Sequence, residues 1–344
     1  MKIALVSSFV PFINGGARNI VEWLQVMLEK EGHHVERVYL PEIDAPDLLF
    51  RQMMAYRWVD LDAADRIVCF RPQAHLIPHR HKILWFIHHI RAFYDLWDSP
   101  YRGFPDDPKH QGIRDALRKV DDAGLREAKA IFTNSRVVKD RLTAYNDIGS
   151  EILYPPVFQP ERFHCTGYSD EIACICRIEH HKRQHLLVEA MQYVTTPVRL
   201  ALFGRTASPD YEQHIRQRIA DLNLGDKVTL ENRWISEEEK VEQLARCLAA
   251  AYVPLDEDSY GYPSVEASHA AKPILTTSDS GGVLELVEDG VNGYVADAEP
   301  KALAAAMDRL YLDRIKTIQM GNAAPERLKS LNISWEHVLQ RLLA

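Results

Sequence analysis

A continuous apolar run at residues 2–7 is followed by a glycine turn at 12–16, a helix-spaced segment at 17–31 and a second apolar run at 35–40. A strand that is apolar at every position is buried on both faces, which happens in parallel sheets covered by helices. The segment between the runs carries Ile20, Val21, Leu24, Met27 and Leu28 on one helical face and stops at Gly32. Strand, glycine turn, helix, strand is the opening of a doubly wound α/β domain. No other feature constrains the fold as strongly, because the same alternation continues to the end of the chain.

Further strands are predicted at 66–70, 83–87 and 130–133, with helices at 43–60, 113–128 and 135–145. Residues 71–82 form a loop rich in Pro and His, and 91–110 an aromatic loop over the strand ends. The stretch 155–170 holds Pro155, Pro156 and Pro160 with little periodicity and is expected to be a linker. A second unit of alternation follows, with strands at 172–176, 199–203, 228–230, 250–253 and 274–277. Its helices are expected at 184–192, 211–222, 236–245, from 263, at 300–311 and at 334–343. The fold class is therefore α/β, with two Rossmann-like parallel-sheet domains at 1–157 and 158–326 and a closing helical segment at 327–344.

The net charge of −8 is unevenly spread. Residues 1–157 hold 21 basic and 21 acidic side chains, whereas the remainder hold 20 and 28. With no basic stripe interleaved with aromatics, nucleic acid is not an expected partner. No stretch of about 18 apolar residues suggests a membrane span, and the N-terminal run reads as a strand, not a signal sequence. The five cysteines, irregularly spaced, are expected as reduced thiols in a cytoplasmic protein. His75, His79, His81, His88 and His89 crowd together, but no acid or cysteine lies in that run, so no metal site is expected.

Three polar clusters follow predicted strands in the second half, the edge where such sheets bind ligands. In the first, Arg177 and Lys182 could hold linked phosphates, one as a fork and one as a point charge, or be solvated loop cations. The second is the turn at Gly204. The third runs from 254 to 293: an acidic group of Asp256, Glu257 and Asp258, a turn at Gly261, and a helix carrying Glu266. A carboxylate there can accept hydrogen bonds from vicinal hydroxyls, as on a ribose, or can simply complement the helix dipole.

Arg177 with Lys182, an acid eight residues before Glu266, Ser280-Gly281-Gly282, the segment 286–293 and Ser334-Trp335-Glu336 together resemble the retaining glycosyltransferases of family 4. That resemblance covers nearly the whole chain and is densest over 172–295. It implies the GT-B fold, with two domains facing a cleft and the last helix crossing back to the first. It implies a donor nucleotide-diphosphate sugar of UDP or GDP type, with Arg177 and Lys182 on the diphosphate and Glu266 on the ribose. Gly204, Tyr260, Gly261 and Tyr262 would line the donor site. Trp234 falls where the base is expected, though it could equally be a core residue. The donor sugar would meet Asp258, or Glu257 if Ser259 is an extra residue. Cys176 stands where the family often has glycine. In the first domain, Gly15 and Gly16 match the family's glycine loop. His88, with His89 as second choice, would contact a sugar hydroxyl or the developing charge.

The implied activity is retaining hexosyl transfer, with no cofactor and no metal. The acceptor would be a saccharide or lipid-linked saccharide in surface polysaccharide or lipopolysaccharide synthesis. Peripheral contact of the cytoplasmic protein with the inner membrane is implied as well. An epimerase or phosphorylase of nucleotide sugars, and a non-catalytic nucleotide-binding partner, are the alternatives.

Overall fold

The computed structural model describes residues 1–11, 15–42, 45–206 and 208–344. The chain divides into two units, Met1–Pro155 with Ser334–Ala344, and Pro156–Ile333.

The first unit runs β1 (Lys2–Phe9), α1 (Gly16–Lys30), β2 (His34–Pro41), α2 (Leu49–Arg57), β3 (Arg66–Cys69), β4 (Lys82–Phe86), α3 (Pro108–Arg126), β5 (Ala130–Thr133), α4 (Arg136–Asn146) and β6 (Glu151–Ile152). The strands form one parallel sheet in the order β2-β1-β3-β4-β5-β6. The apolar run of β1 is buried on both faces, and Val6, Ile67 and Leu84 pack with Tyr56, Leu117 and Leu142 from the covering elements. Part of the expected 12–16 turn, and the first two residues of the expected 43–60 helix, lie outside the described residues.

The second unit runs β7 (Glu171–Ile175), α5 (Gln184–Ala190), β8 (Arg199–Gly204), α6 (Pro209–Asp221), β9 (Val228–Asn232), α7 (Glu237–Arg246), β10 (Ala249–Ala251), α8 (Tyr262–His269), β11 (Ile274–Thr277), α9 (Val283–Leu286), β12 (Gly293–Ala296), α10 (Pro300–Leu312) and α11 (Arg314–Ser330). Its parallel sheet has the order β12-β11-β10-β7-β8-β9. Ile172, Leu200 and Leu202 of the sheet meet Leu187, Ile215 and Met307 of the helices in one core. The last helix, α12 (Trp335–Leu343), belongs to the first unit. There Arg341 pairs with Glu151 at 2.6 Å and Arg66 donates to the Leu342 carbonyl.

The structure departs from the sequence reading in three places. The stretch 155–170 is not a free linker. Phe163 is buried, and the Thr166 and Ser169 amides donate to the Ala245 and Arg246 carbonyls at 2.9 and 2.8 Å, so the segment is stitched to the end of α7. The strand β12 is four residues long and opens on glycine, too short a run to stand out. Helix α11 contains Pro325, exposes Ile315 and Ile318, and mixes Thr317 and Gly321 into the buried row of Met320, Ala324 and Leu328, so its apolar stripe is diluted.

Candidate active site

Chain order in the second sheet leaves β7 through β8 and β9 on one side and resumes at β10 on the other. The crevice beyond the carboxyl ends of β7 and β10 is therefore the topological switch point, where doubly wound sheets bind ligands. Loops 176–183 and 252–261 leave these two strands. They are tied together where the Leu255 amide donates to the His181 carbonyl at 2.8 Å.

Lys182 is 7% exposed. Its Nζ donates to the Tyr252 hydroxyl at 2.8 Å and to Glu257 Oε2, and the Tyr252 hydroxyl donates to the same carboxylate oxygen at 3.1 Å. Burial by itself would raise the Glu257 carboxyl, but the Lys182 ammonium, together with His181 and the Tyr252 hydroxyl, outweighs it and holds the group below its ordinary value. Of the two acids that the sequence left open, Glu257 is the one joined to Lys182. Asp258 sits half-buried in the same loop.

Arg177 is half exposed and pairs with Glu179, whose other oxygen lies 3.4 Å from His181 Nδ1. Cys176, standing at a family glycine position, does not take a positive φ. Its Sγ lies 3.9 Å from that of Cys174 on the same strand face, and all described cysteines are free thiols.

Arg183 was not singled out by the sequence. It adopts φ 54° and is 8% exposed. Its guanidinium donates to the Val253 and Pro254 carbonyls, each at 2.9 Å, to Thr277 Oγ1 at 2.8 Å and to both oxygens of Asp279. One side chain thus fastens the phosphate-type loop to the ends of β10 and β11. Nothing in a run of basic and polar loop residues distinguishes it in advance.

Two glycines are there for close approach. Gly204 has φ 151°, and a Cβ on it would lie 1.9 Å from the Cys176 carbonyl oxygen. Gly281, at φ 62°, would set a Cβ 2.5 Å from the Glu257 carbonyl oxygen; the neighbouring Gly282 amide donates to that oxygen at 2.8 Å. The Ser280-Gly281-Gly282 turn is therefore the floor on which the acidic loop rests. We expect Gly204→Ala to cost about 3 kcal/mol, because the clash is with backbone that cannot move aside. Urea unfolding checks this, and a midpoint unchanged from the parent would refute it.

Glu266 lies on α8 and is 6% exposed. Burial pushes its carboxyl upward, opposed by Lys240 of α7, whose Nζ is 2.6 Å from Oε1. Lys240 is a second residue missed from sequence, since a lysine on an acid-rich helix looks solvated. Tyr260 is buried and Tyr262 half-buried at the start of α8, after the Gly261 turn. Trp234 is 66% exposed, which removes the core alternative for it.

In the first unit the switch point falls between β1 and β3. Gly15 caps α1 in extended conformation, with nothing among the described residues within 4 Å of where its Cβ would lie, and Gly16 is the first helical residue. His88 follows β4 and its Nδ1 donates to the His89 carbonyl at 2.6 Å. Burial, with the Arg71 cation second, pushes its imidazole down to about 3. The ring is neutral with its proton on Nδ1, so Nε2 is an acceptor. His89 is a packing residue: 3% exposed, bonded to Asn146 at 2.8 Å and set against Phe86, Tyr94 and Tyr145. His75 is bound to Asp121 at 2.9 Å, and His79 and His81 to backbone carbonyls. Among the described residues no group of three or more His, Cys, Asp or Glu is arranged to hold a metal ion.

Residues 168–327 match the family model described as glycosyl transferases group 1. The alpha-1,3/1,6-mannosyltransferase ALG2 of Homo sapiens is 23% identical over 82% of this chain and 71% of that protein. The O-antigen chain mannosyltransferase RfbU of Salmonella typhimurium is 24% identical over 69% of this chain and 63% of that one. Among solved structures, Anabaena Alr3699/HepE in complex with UDP superposes with a TM-score of 0.71 at 19% identity, covering 99% of both chains. The site at the β7–β10 switch point thus lies within the stretch that matches that family model, on a chain with the α/β GT-B fold.

Proposed function

We propose that this protein is a retaining glycosyltransferase of family 4. It moves a hexose-type sugar from a nucleotide-diphosphate sugar to a saccharide or lipid-linked acceptor, without a bound divalent cation. The observation that carries this reading is the nearly buried Lys182 ammonium at the β7–β10 switch point, with Arg177 on the same loop. As the sugar–phosphate bond breaks, charge develops on the leaving diphosphate. A preoriented ammonium and a guanidinium fork are the groups that stabilise it. Glu257 keeps the ammonium oriented and compensated until an anion meets it, and Glu266 takes the ribose hydroxyls. Attack comes from the face the diphosphate leaves, and the departing phosphate helps to take the acceptor proton.

The named activities of ALG2 and RfbU support a mannosyl-type donor, and the O-antigen chain in RfbU's name supports a surface-polysaccharide acceptor; peripheral contact with the inner membrane is part of the same proposal. The UDP complex of HepE supports a uridine donor. A thermal-shift panel of UDP, GDP, UDP-glucose and GDP-mannose decides between the bases. A ligand that binds only the native state stabilises it by about 2.7 kcal/mol at 100 times its dissociation constant. No shift with any of the four would overturn the reading. Conversion of the donor's sugar to its epimer without acceptor, or reaction with inorganic phosphate, would point to the alternative enzymes.

We assign His88 a sugar hydroxyl, accepted at Nε2. His88→Ala is then expected to lower kcat about 100-fold. Because the imidazole stays neutral down to about 3, the pH–rate profile between about pH 5 and 8 keeps its shape in His88→Asn. An inflection near the ordinary histidine value that vanishes in the variant would contradict this assignment.

A further inference from the structure

Four charged side chains of the second unit alternate in sign across three elements. Arg162, in the turn Pro160–Arg162, places Nη2 3.1 Å from Glu237 Oε2 on α7. Glu237 Oε1 lies 2.9 Å from Lys240 Nζ, and Lys240 Nζ lies 2.6 Å from Glu266 Oε1 on α8. The chain ends at the deepest member. The Lys240 and Glu266 side chains are only 14% and 8% exposed, whereas Glu237 is 44% exposed. Glu266 is flanked by the fully buried Val265 and Ala267, so little of its environment other than this chain can favour a charge.

Two vicinal hydroxyls, each donating, need two acceptor oxygens. A protonated carboxyl offers one good acceptor and a competing donor. A buried carboxylate also has rotamers to lose before it can accept both bonds at once. The ion pair from α7 meets both needs.

We propose that Lys240 is a positioning residue that fixes the Glu266 carboxylate for a pair of vicinal ligand hydroxyls, so that discrimination for an intact ribose depends on α7 as well as α8. This rests on the assignment of Glu266 to the ribose. The charged and titratable groups facing Glu266 are Lys240 and Glu237 from α7, Arg162 from the preceding turn and the Tyr262 hydroxyl from its own helix. Of these, Lys240 and Arg162 favour its ionisation and Glu237 opposes it. Burial raises the Glu266 carboxyl even with Lys240 in place. Without the ammonium it rises further, so the loss of function must be greater at low pH.

The test compares dissociation constants of UDP and GDP with those of their 2′,3′-dideoxy analogues, at about pH 6 and about pH 8. The proteins are the parent, Glu266→Gln, Lys240→Met and Lys240→Arg. The expected result is that Glu266→Gln erases the preference for the ribose form at both pH values. Lys240→Met lowers it about tenfold at the lower pH, the loss of about one hydrogen bond to the ligand hydroxyls, and partly regains it at the higher. Lys240→Arg retains it. Lys240→Gln, which keeps a donor but no charge, serves if Lys240→Met does not fold, and is expected to show the same pH-dependent loss. If Glu266→Gln leaves the preference intact, the ribose assignment fails and takes the proposal with it. If Glu266→Gln erases the preference but the lysine variants keep it in full at both pH values, the ribose assignment stands and the role of Lys240 is overturned.

Discussion

Lys182→Met is expected to reduce sugar transfer by about a thousandfold, the upper range for removing one preorganised donor from a site of developing negative charge. It is also expected to destabilise the fold by about 3 kcal/mol, because the variant leaves Glu257 partly buried without its counter-charge. The two effects separate in the double variant Lys182→Met/Glu257→Gln. With no charge left to orphan, stability returns towards the parent while transfer stays low. Equal recovery of both would mean that Lys182 serves only to hold Glu257. The pair also sets a pH dependence. The folded Glu257 carboxyl is depressed below its ordinary value of 4.5, so its contribution is complete above about that pH and is lost as pH falls through the lower folded value. Acid unfolding of Lys182→Met, compared with the parent, should lack that component.

Arg183→Lys is the second large effect, and it falls on stability. The guanidinium spreads its donors over two carbonyls, a hydroxyl and a carboxylate. An ammonium has three donors and no planar fork, so at least two of the five acceptor oxygens lose their partner. Each buried orphan costs about 1–3 kcal/mol, and a loss of about 3 kcal/mol in a urea titration is expected. The loop ends it joins would open as well, so donor affinity should weaken although Arg183 is assigned no contact with the donor. A lysine variant of parental stability would show that solvent readily replaces those bonds.

Much of the fold was legible in the sequence because its signals are local. The apolar runs that become β1, β7 and β11 are buried strands, the Ser135, Ser236 and Ser334 side chains cap the helices that follow them, and glycines mark the turns. Helix α11 was illegible for an equally local reason. Its buried face sets Thr317, Gly321 and Ala324 among Met320 and Leu328 while Ile315 and Ile318 are exposed, which blurs the periodic apolar signal.

The candidate site was legible only in part. Arg177, Lys182, the acidic loop and Glu266 stand out because polar groups at strand ends are conspicuous. Their partners do not. Lys240 is 26 residues from Glu266 and Arg183 is 96 from Asp279, and no spacing rule reaches that far. Likewise Gly204 could be recognised as a turn glycine, but the Cys176 carbonyl that forbids a side chain there belongs to the loop that leaves another strand.

By itself the sequence determined the element types, the parallel α/β class and the residues able to do polar chemistry at the sheet edge. These follow from hydrophobic period and turn residues, which act over a few positions. Only the tertiary structure decided which acid pairs with Lys182, that His89 is packing while His88 is a neutral acceptor, and that a buried arginine binds the loops together. Those outcomes depend on burial and on hydrogen-bond partners brought together from distant segments, and both are properties of the packed chain.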